Sequence, residues 1–587
     1  MNEAIRSISE LSESNINKTP YDDRDQLLIL EDLLSVKTPD DELLLKASDW
    51  EADWSSYEGE LKKKQREKYL YWKNGTVDDF LEPDSVDNLI FKAVETLLPE
   101  ITRENPEPLA ASPTKDSAID NAISKVLYSW AKINKLKFLG RSVARHWMTS
   151  YIGIAKMNWG YKKEDIEINI ILPKDIILSE KSIITTQGLW KTPYIGERKT
   201  NTAKSLINKF PKKKKEITEL VEGKLGTKVP YIEWWADEIL FWTCEDFVLD
   251  KIKYPHWNED TTETQVDEYG VEVEVEVAGK NLFKEPQAPY IPLSVFHLGD
   301  SPVDVTGLID QAMHLQDSIN QKKLQINKNA KSANNGYMVD SSKVTAEVAQ
   351  EAIRILEEGG AIHVDMSDGD PIKKIEASSL PNFIYDSVID DRNELEGIFG
   401  VQGSNPRGIA QEKTVRGKII ATTQDTKRSN SITEALELFY ENIYKYILQM
   451  MMVYYDEEKE IVDTSGVENE TLRISSDMIP ENISVTVKEG SLVPKDPLTE
   501  RNEAMDLFSA GALDPITLYE KLDFKNPQEA AKRLITWQLA PQQLLGGQVP
   551  QGVPQGVPQQ PQGQPQAGQQ PAPEEQSTDI MQQVPIN

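Results

Sequence analysis

The chain has 587 residues, too many for one hydrophobic core, so about two to four domains are expected. Hydrophobic residues make up 39% and charged residues 27%, ordinary values that exclude a chain disordered throughout. A formal net charge of −31 argues against a protein that grips nucleic acid over its whole surface, because neutralised phosphates supply much of that affinity.

Residues 1 to about 75 pass from acidic to basic, from Asp22, Asp23, Glu31, Asp32 and Asp40 to Lys62-Lys-Lys-Gln-Arg-Glu-Lys68. Leu27 to Leu34 predict a short apolar helix, and Trp50, Trp54 and Tyr57 mark a helical face. The lysine run reads as a solvated helix face. The N-terminus lacks an apolar signal core, and no run of the ~18 apolar residues needed to span a bilayer occurs. Asp87 to Leu98 predict a helix stopped by Pro99, followed by an extended Glu104-Asn-Pro-Glu-Pro108. One or two helices are expected between Ala118 and Tyr151, then a hairpin from Gly153–Trp159 and Ile166–Leu172.

Strand character strengthens from Val229 to Leu298. Tyr231–Trp235 and Ile239–Thr243 read as core strands, and Val271, Val273, Val275 and Val277 alternate with Glu272, Glu274 and Glu276 as a half-buried strand. The single cysteine, Cys244, sits in such a strand and reads as a buried apolar filler; it excludes a disulfide framework and suits a reducing setting. Asp304 to Ala333 predict a helix roughly 43 Å long at about 1.5 Å per residue. Val305, Ala312, Ile319, Ile326 and Ala333 recur every seven residues, a seam for another helix. Lys322, Lys323, Lys328 and Lys331 gather in its C-terminal half, where they complement the helix dipole.

A small α/β lobe follows: strands at Tyr337–Asp340, Ala361–Asp365 and Pro371–Ile375 around a helix from Val344 to Glu358. Helices are expected at Ile384–Phe399 and from Thr414 to about Tyr455. Between them lies a loop, Gly400-Val-Gln-Gly-Ser-Asn-Pro-Arg-Gly408. Strands return at Leu472–Ser475 and Ile483–Val487, then small helices at Leu498–Ala510, Asp514–Leu522 and Pro527–Leu539. Beyond Pro541 the Gln/Pro/Gly repeats cannot bury a core.

Motifs for catalysis are missing. There is no Walker A, dinucleotide fingerprint, HExxH or GxSxG, and the five histidines form no local ligand pair. Asp365-Met-Ser-Asp-Gly-Asp370 has the wrong spacing for a calcium loop and reads as a turn. No enzyme, cofactor or metal site is expected. The one local signature for DNA is the loop and the helix after it: Arg407, Lys413, Arg416 and Lys418 bring positive charge, and Gly400, Gly403, Gly408 and Gly417 bring backbone freedom.

In this order, the elements resemble portal proteins of tailed bacteriophages over most of the chain up to about residue 540. The stretches that carry the likeness are Val86–Glu100, Trp147–Trp159, Pro292–His297 feeding Gly307–Asn320, and Glu394–Val401 before the Gly-rich loop. The resemblance implies an α+β ring subunit, usually one of twelve, at a capsid vertex. It would comprise an N-terminal region and wing (1–303), a stem helix (304–333), a clip (334–380) and a second stem helix (381–399). A tunnel loop (400–413), a long wing helix with closing strands (414–494), a crown (495–540) and a tail (541–587) without a general family counterpart would follow. Implied partners are further copies of the chain, the major capsid protein, the large terminase, neck or adaptor proteins and double-stranded DNA in transit, with no membrane. Arg407, Lys413, Arg416 and Lys418 would touch DNA, and Lys322, Lys323, Lys328 and Lys331 would lie on the stem. The alternatives are a head-tail or scaffold-type oligomer without a channel, and an enzyme with an unrecognised site.

Overall fold

The computed structural model describes residues 38–539, except 114–116, 161, 237, 267–271, 335–336, 358–370, 375–380, 401–414, 464–469, 489–490, 493–496, 523 and 525. The predicted apolar helix at Leu27–Leu34, the strand at Ala361–Asp365, the turn at Asp365–Asp370 and the repeats beyond Pro541 lie outside the described residues. The chain divides after Thr499 into two units.

Among the described residues helix α1 (Asp40–Asn74) comes first, with Asp40, Asp41 and Glu42 against its positive dipole end and Lys73 at the other. Gly75, left-handed at φ 71°, ends it by donating its N–H to the Tyr71 carbonyl. Its buried stripe, Leu43, Ala47, Trp54, Leu61, Gln65, Lys68 and Tyr71, keeps helical spacing throughout. Helix α2 (Leu89–Ile101) is capped by Asn88, whose Oδ1 accepts the Phe91 N–H at 2.9 Å. It runs past Pro99, where the sequence suggested a stop; in the last turn a proline forfeits one bond, and buried Leu97, Leu98 and Ile101 hold the turn.

Strand β1 (Pro108–Ala111) precedes α3 (Ser117–Ile133) and α4 (Leu136–Ser150), which part at left-handed Lys135. There follow β2 (Gly153–Gly160), β3 (Asp165–Ile171), β4 (Ile176–Leu178), β5 (Ile183–Ile184), β6 (Trp190–Lys191) and β7 (Tyr194–Thr202). Next come α5 (Ala203–Lys209), α6 (Lys214–Leu220), β8 (Lys228–Ala236), β9 (Ile239–Cys244), β10 (Phe247–Lys253), β11 (Thr261–Val266), β12 (Glu272–Val277) and β13 (Tyr290–Leu293). Strands β10-β9-β8-β7-β4 form an antiparallel five-stranded sheet, and β13-β2-β3 a three-stranded one. The valine-glutamate run is one arm of a separate β11–β12 hairpin, with Val275 opposite Glu263.

Helix α7 (Leu308–Asn334) begins four residues later than expected from Asp304. The Asp304 carboxylate instead accepts the Leu298 N–H at 2.8 Å and the Ser301 hydroxyl at 2.9 Å, closing a turn ahead of the helix. Strands β14 (Tyr337–Val339) and β15 (Ile372–Lys374) pair antiparallel, with α8 (Ala346–Glu357) between them in the chain. Then come α9 (Phe383–Phe399) and the 40-residue α10 (Val415–Tyr454). Strand β16 (Lys459–Asp463), unforeseen in the sequence, pairs with β17 (Glu470–Ile474), and β18 (Ser484–Val487) pairs with β1.

Two apolar cores result. One joins α2, α3, α4, the first half of α7 and the buried stretch of α10 from Ile432 onward, with Tyr455 just beyond it; the other fills the space between the five-stranded sheet, the first half of α1, and α5 and α6. From the division onward, α11 (Pro497–Ser509), α12 (Pro515–Lys521) and α13 (Pro527–Leu539) each open on a proline, whose fixed φ suits that position and whose missing N–H costs nothing there.

Candidate nucleic-acid interface

The α7–α9 pair is embedded at one end and free at the other. Ile309, Ala312, Leu315 and Ile319 of α7 are buried, whereas Ile326 of the predicted seam is only half-buried and Lys328 and Lys331 are exposed. On α9, Leu395 and Phe399 are buried, while Phe383, Tyr385 and Ile389 stand more than two-fifths exposed. Both helices therefore leave the core toward the lobe.

A polar lattice fixes their base. Gln316 accepts the Leu89 N–H at 3.1 Å and donates to the Asp87 carbonyl at 2.7 Å, so one side chain satisfies the start of α2. Asn320 donates to the Gly75 carbonyl at 2.9 Å, and the Tyr71 hydroxyl donates to Asp317 at 2.7 Å. Arg392 of α9 pairs with Asp87 at 2.5 Å. Lys68, expected from the sequence on a solvated face, is instead fully buried, 2.9 Å from Asp310 on the first turn of α7. Lys62 and Lys64 of the same run do face solvent, on Glu58 and Glu60.

The four lysines expected on a stem divide. Lys322 is half-buried and bonded to Asp391 at 2.7 Å and Ser387 at 2.5 Å, tying α7 to α9. Lys331 pairs with Glu82 at 2.8 Å on the surface. Lys323 is half-exposed and Lys328 exposed. Arg407 and Lys413 lie outside the described residues, as do Gly403 and Gly408. Arg416 and Lys418 occupy the first turn of α10, with Gly417 between them in helix rather than loop. That turn has no acidic residue. Gly400 closes α9 in the left-handed region at φ 68°, donating to the Glu396 and Gly397 carbonyls, and starts the loop.

A second polar cluster has no motif in the sequence. Lys156 of β2 reaches across to the five-stranded sheet, bonding Glu197 of β7 at 2.7 Å and Glu233 of β8. Glu233 also accepts from Lys199 at 2.6 Å and from the indoles of Trp235 and Trp242 at 2.8 and 3.0 Å, and the Tyr290 hydroxyl donates to Glu197 at 2.8 Å. Burial alone would raise the Glu233 carboxyl, but Lys156 and then Lys199 offset this and hold it well below the usual carboxylate range. Burial and the Lys156 charge push neighbouring His256 down to about 3, so it is neutral. A cavity of about 490 Å³ borders the group. Every carboxylate here is matched by a cation, which makes the cluster an ionic joint between two sheets rather than a poised acid-base pair. The signal available was a charge in each of two otherwise apolar strand cores, Lys156 and Glu233. Among the described residues no group of three or more His, Cys, Asp or Glu could hold a metal ion. Nor is any described helix long and apolar enough to cross a membrane.

The family model of the phage P22-like portal protein matches residues 194–585, from the start of β7 onward. No curated protein sequence matches the chain. The matched region includes Pro292–His297, Gly307–Asn320 and Glu394–Val401, but begins after Val86–Glu100 and Trp147–Trp159. It also extends through the tail beyond residue 540. The chain belongs to the phage P22-like portal protein family, a family of structural rather than enzymatic proteins.

Proposed function

We propose that copies of this chain, twelve as the resemblance implies, close laterally into a ring at one capsid vertex and form the channel through which double-stranded DNA is packaged and ejected. In this reading α7 and α9 are the stem, the β14–β15 lobe with α8 is the clip on which the large terminase and later neck or adaptor proteins dock, and residues 400–413 are the tunnel loop. Residues 1–303 and 414–494 make the wing that meets the major capsid protein, and 495–540 the crown. Assembly takes place in the host cytoplasm and the ring ends in the virion.

The observation that carries the proposal is the family match over both stem helices and the loop between α9 and α10. The structure adds support of a physical kind. A helix pair anchored by Gln316, Asn320 and Arg392 at its base and exposed toward the lobe has side-chain surface left for neighbours. An acidic subunit suits a conduit past which DNA must slide without sticking. Positive charge at Arg407, Lys413, Arg416 and Lys418 and on the adjacent stem then grips weakly and reversibly. Changing Arg407 and Lys413 together to Ala tests this: DNA packaging or retention should fall while rings still form. Rings that fail to form would instead assign those residues to the subunit interface, and normal packaging would remove them from the DNA path.

A further inference from the structure

Among the described residues, a strongly basic surface lies elsewhere, between Ala203 and Lys228. That stretch holds eight lysines against three glutamates, Glu216, Glu219 and Glu222, within a chain of net −31. Its apolar side chains explain why it has a fixed shape: Leu206, Phe210, Ile217 and Val221 are buried and seat α5 and α6 on the five-stranded sheet. Lys209 turns back over Tyr231 and Trp242 and Lys213 is half-buried near Asp40, and the other six lysines are left on the outer side. Lys204, Lys212, Lys214, Lys215, Lys224 and Lys228 are all exposed.

Backbone bonds gather them. The Ala203 N–H donates to the Thr227 carbonyl at 2.9 Å and the Lys204 N–H to the Leu225 carbonyl at 3.0 Å, so the start of α5 lies against the turn before β8. This brings Lys204 beside Lys224 and Lys228. At the other end Lys212 to Lys215 are consecutive across the entry to α6. The turn at Gly223 and Gly226 stands clear, with open space beside both glycines. Lys215 and Lys224 sit 4.0 and 3.5 Å from Glu219 and Glu222. Such exposed pairs are worth about 0–1 kcal/mol and exchange readily for a stronger anion.

We infer that residues 203–228 form a second duplex-DNA binding surface, recognising phosphate backbone without regard to sequence and separate from the loop between α9 and α10. The side-chain chemistry favours a nucleic acid over a protein partner. Protein interfaces are depleted in lysine and centre on buried aromatic or arginine anchors. Here the one large apolar side chain on the surface is Leu225, at 43% exposure. The stretch has no arginine and no exposed aromatic, so it offers neither bidentate base reading nor base stacking. Mobile point charges on a rigid seat fit the regular phosphates of a duplex. The identity of that polyanion as packaged DNA rests on the portal reading.

The test uses assembled full-length rings, a labelled duplex of mixed sequence, and a variant with Lys204, Lys212, Lys214, Lys215, Lys224 and Lys228 all changed to Gln. Affinity is measured across a salt series. The variant should bind at least about tenfold more weakly at low salt, with a slope of log K against log salt shallower by about 0.9 for each phosphate that is no longer neutralised. Amine acetylation of wild-type rings should in addition be blocked by DNA at Lys204, Lys214 and Lys228. Unchanged slope and affinity in an intact variant ring overturn the inference. So does protection of these lysines by ring assembly alone, which would assign the surface to the acidic face of a neighbouring copy. Failure of the wild-type chain to form rings would count against the portal reading, and the salt slopes of its DNA binding would still decide the patch.

Discussion

Changing Lys68 to Met should stabilise the protein at neutral pH, although it deletes an ion pair. Lys68 is fully buried, 2.9 Å from Asp310 and 3.6 Å above the Tyr151 ring. Burial lowers its ammonium from the ordinary 10.5 to about 8, and Asp310 only partly opposes this. At about 1.4 kcal/mol per pH unit, the folded state carries a penalty of about 3 kcal/mol for keeping that proton at pH 7. Between pH 8 and 10.5 the unfolded chain binds the proton better than the folded one, so wild-type stability rises with pH across this window. The penalty is complete below about 8 and gone above 10.5. Lys68→Met should thus gain about 1–3 kcal/mol at pH 7 and lose its advantage by pH 10.5. Asp310→Asn should lose about 2–3 kcal/mol. Shedding the lysine proton caps its electrostatic cost, and the charge-assisted bond from Tyr151, at 2.6 Å, is weakened as well. Urea unfolding followed by tryptophan fluorescence at pH 7, 9 and 10.5 measures all three proteins. A Lys68→Met protein less stable than wild type at pH 7, or a difference that does not shrink with rising pH, refutes the reasoning.

Three further outcomes are expected. Glu233→Gln should cost about 3–5 kcal/mol in the same assay, because Lys156 and Lys199 lose a shared buried counter-charge; a loss under 1 kcal/mol would mean that the joint between the sheets is hydrated. Gly140→Ala should destabilise by about 1–3 kcal/mol, since a Cβ there would stand 1.7 Å from the Tyr440 hydroxyl and force α4 away from α10. The Cys244 thiol, buried and pushed up to about 12 by burial and by Glu245, should resist Ellman's reagent at pH 8 until the chain is unfolded.

The longer helices after residue 300 are legible because apolar residues recur at helical spacing along them. Helices α7, α9 and α10 begin and end within a few residues of the expected positions, and the one larger slip, at Asp304, came from a side chain spent on a turn. The five-stranded sheet was only half readable. Strand β8, Lys-Val-Pro-Tyr-Ile-Glu-Trp-Trp-Ala, is apolar enough to announce itself, but β7, Tyr-Ile-Gly-Glu-Arg-Lys-Thr-Asn-Thr, turns Glu197 inward to the ionic joint and so loses its alternation. Helices α5 and α6, seven residues each, are too short for a period to emerge. For Lys68 the sequence misled, because a charged residue in a lysine-rich stretch looks solvated until Asp310, 242 positions away, is brought against it. The basic loop was legible as composition alone, and its Arg407 and Lys413 stay outside the described residues.

The claim on which the account turns is that this chain closes into a ring with an open axis. Electron microscopy of the purified full-length protein, with two-dimensional class averages, tests it most directly. Annular particles with a central hole wide enough for a duplex, roughly 20 Å or more, are predicted, with the lobe at one end of the axis. Monomers, or closed oligomers without a hole, would contradict it.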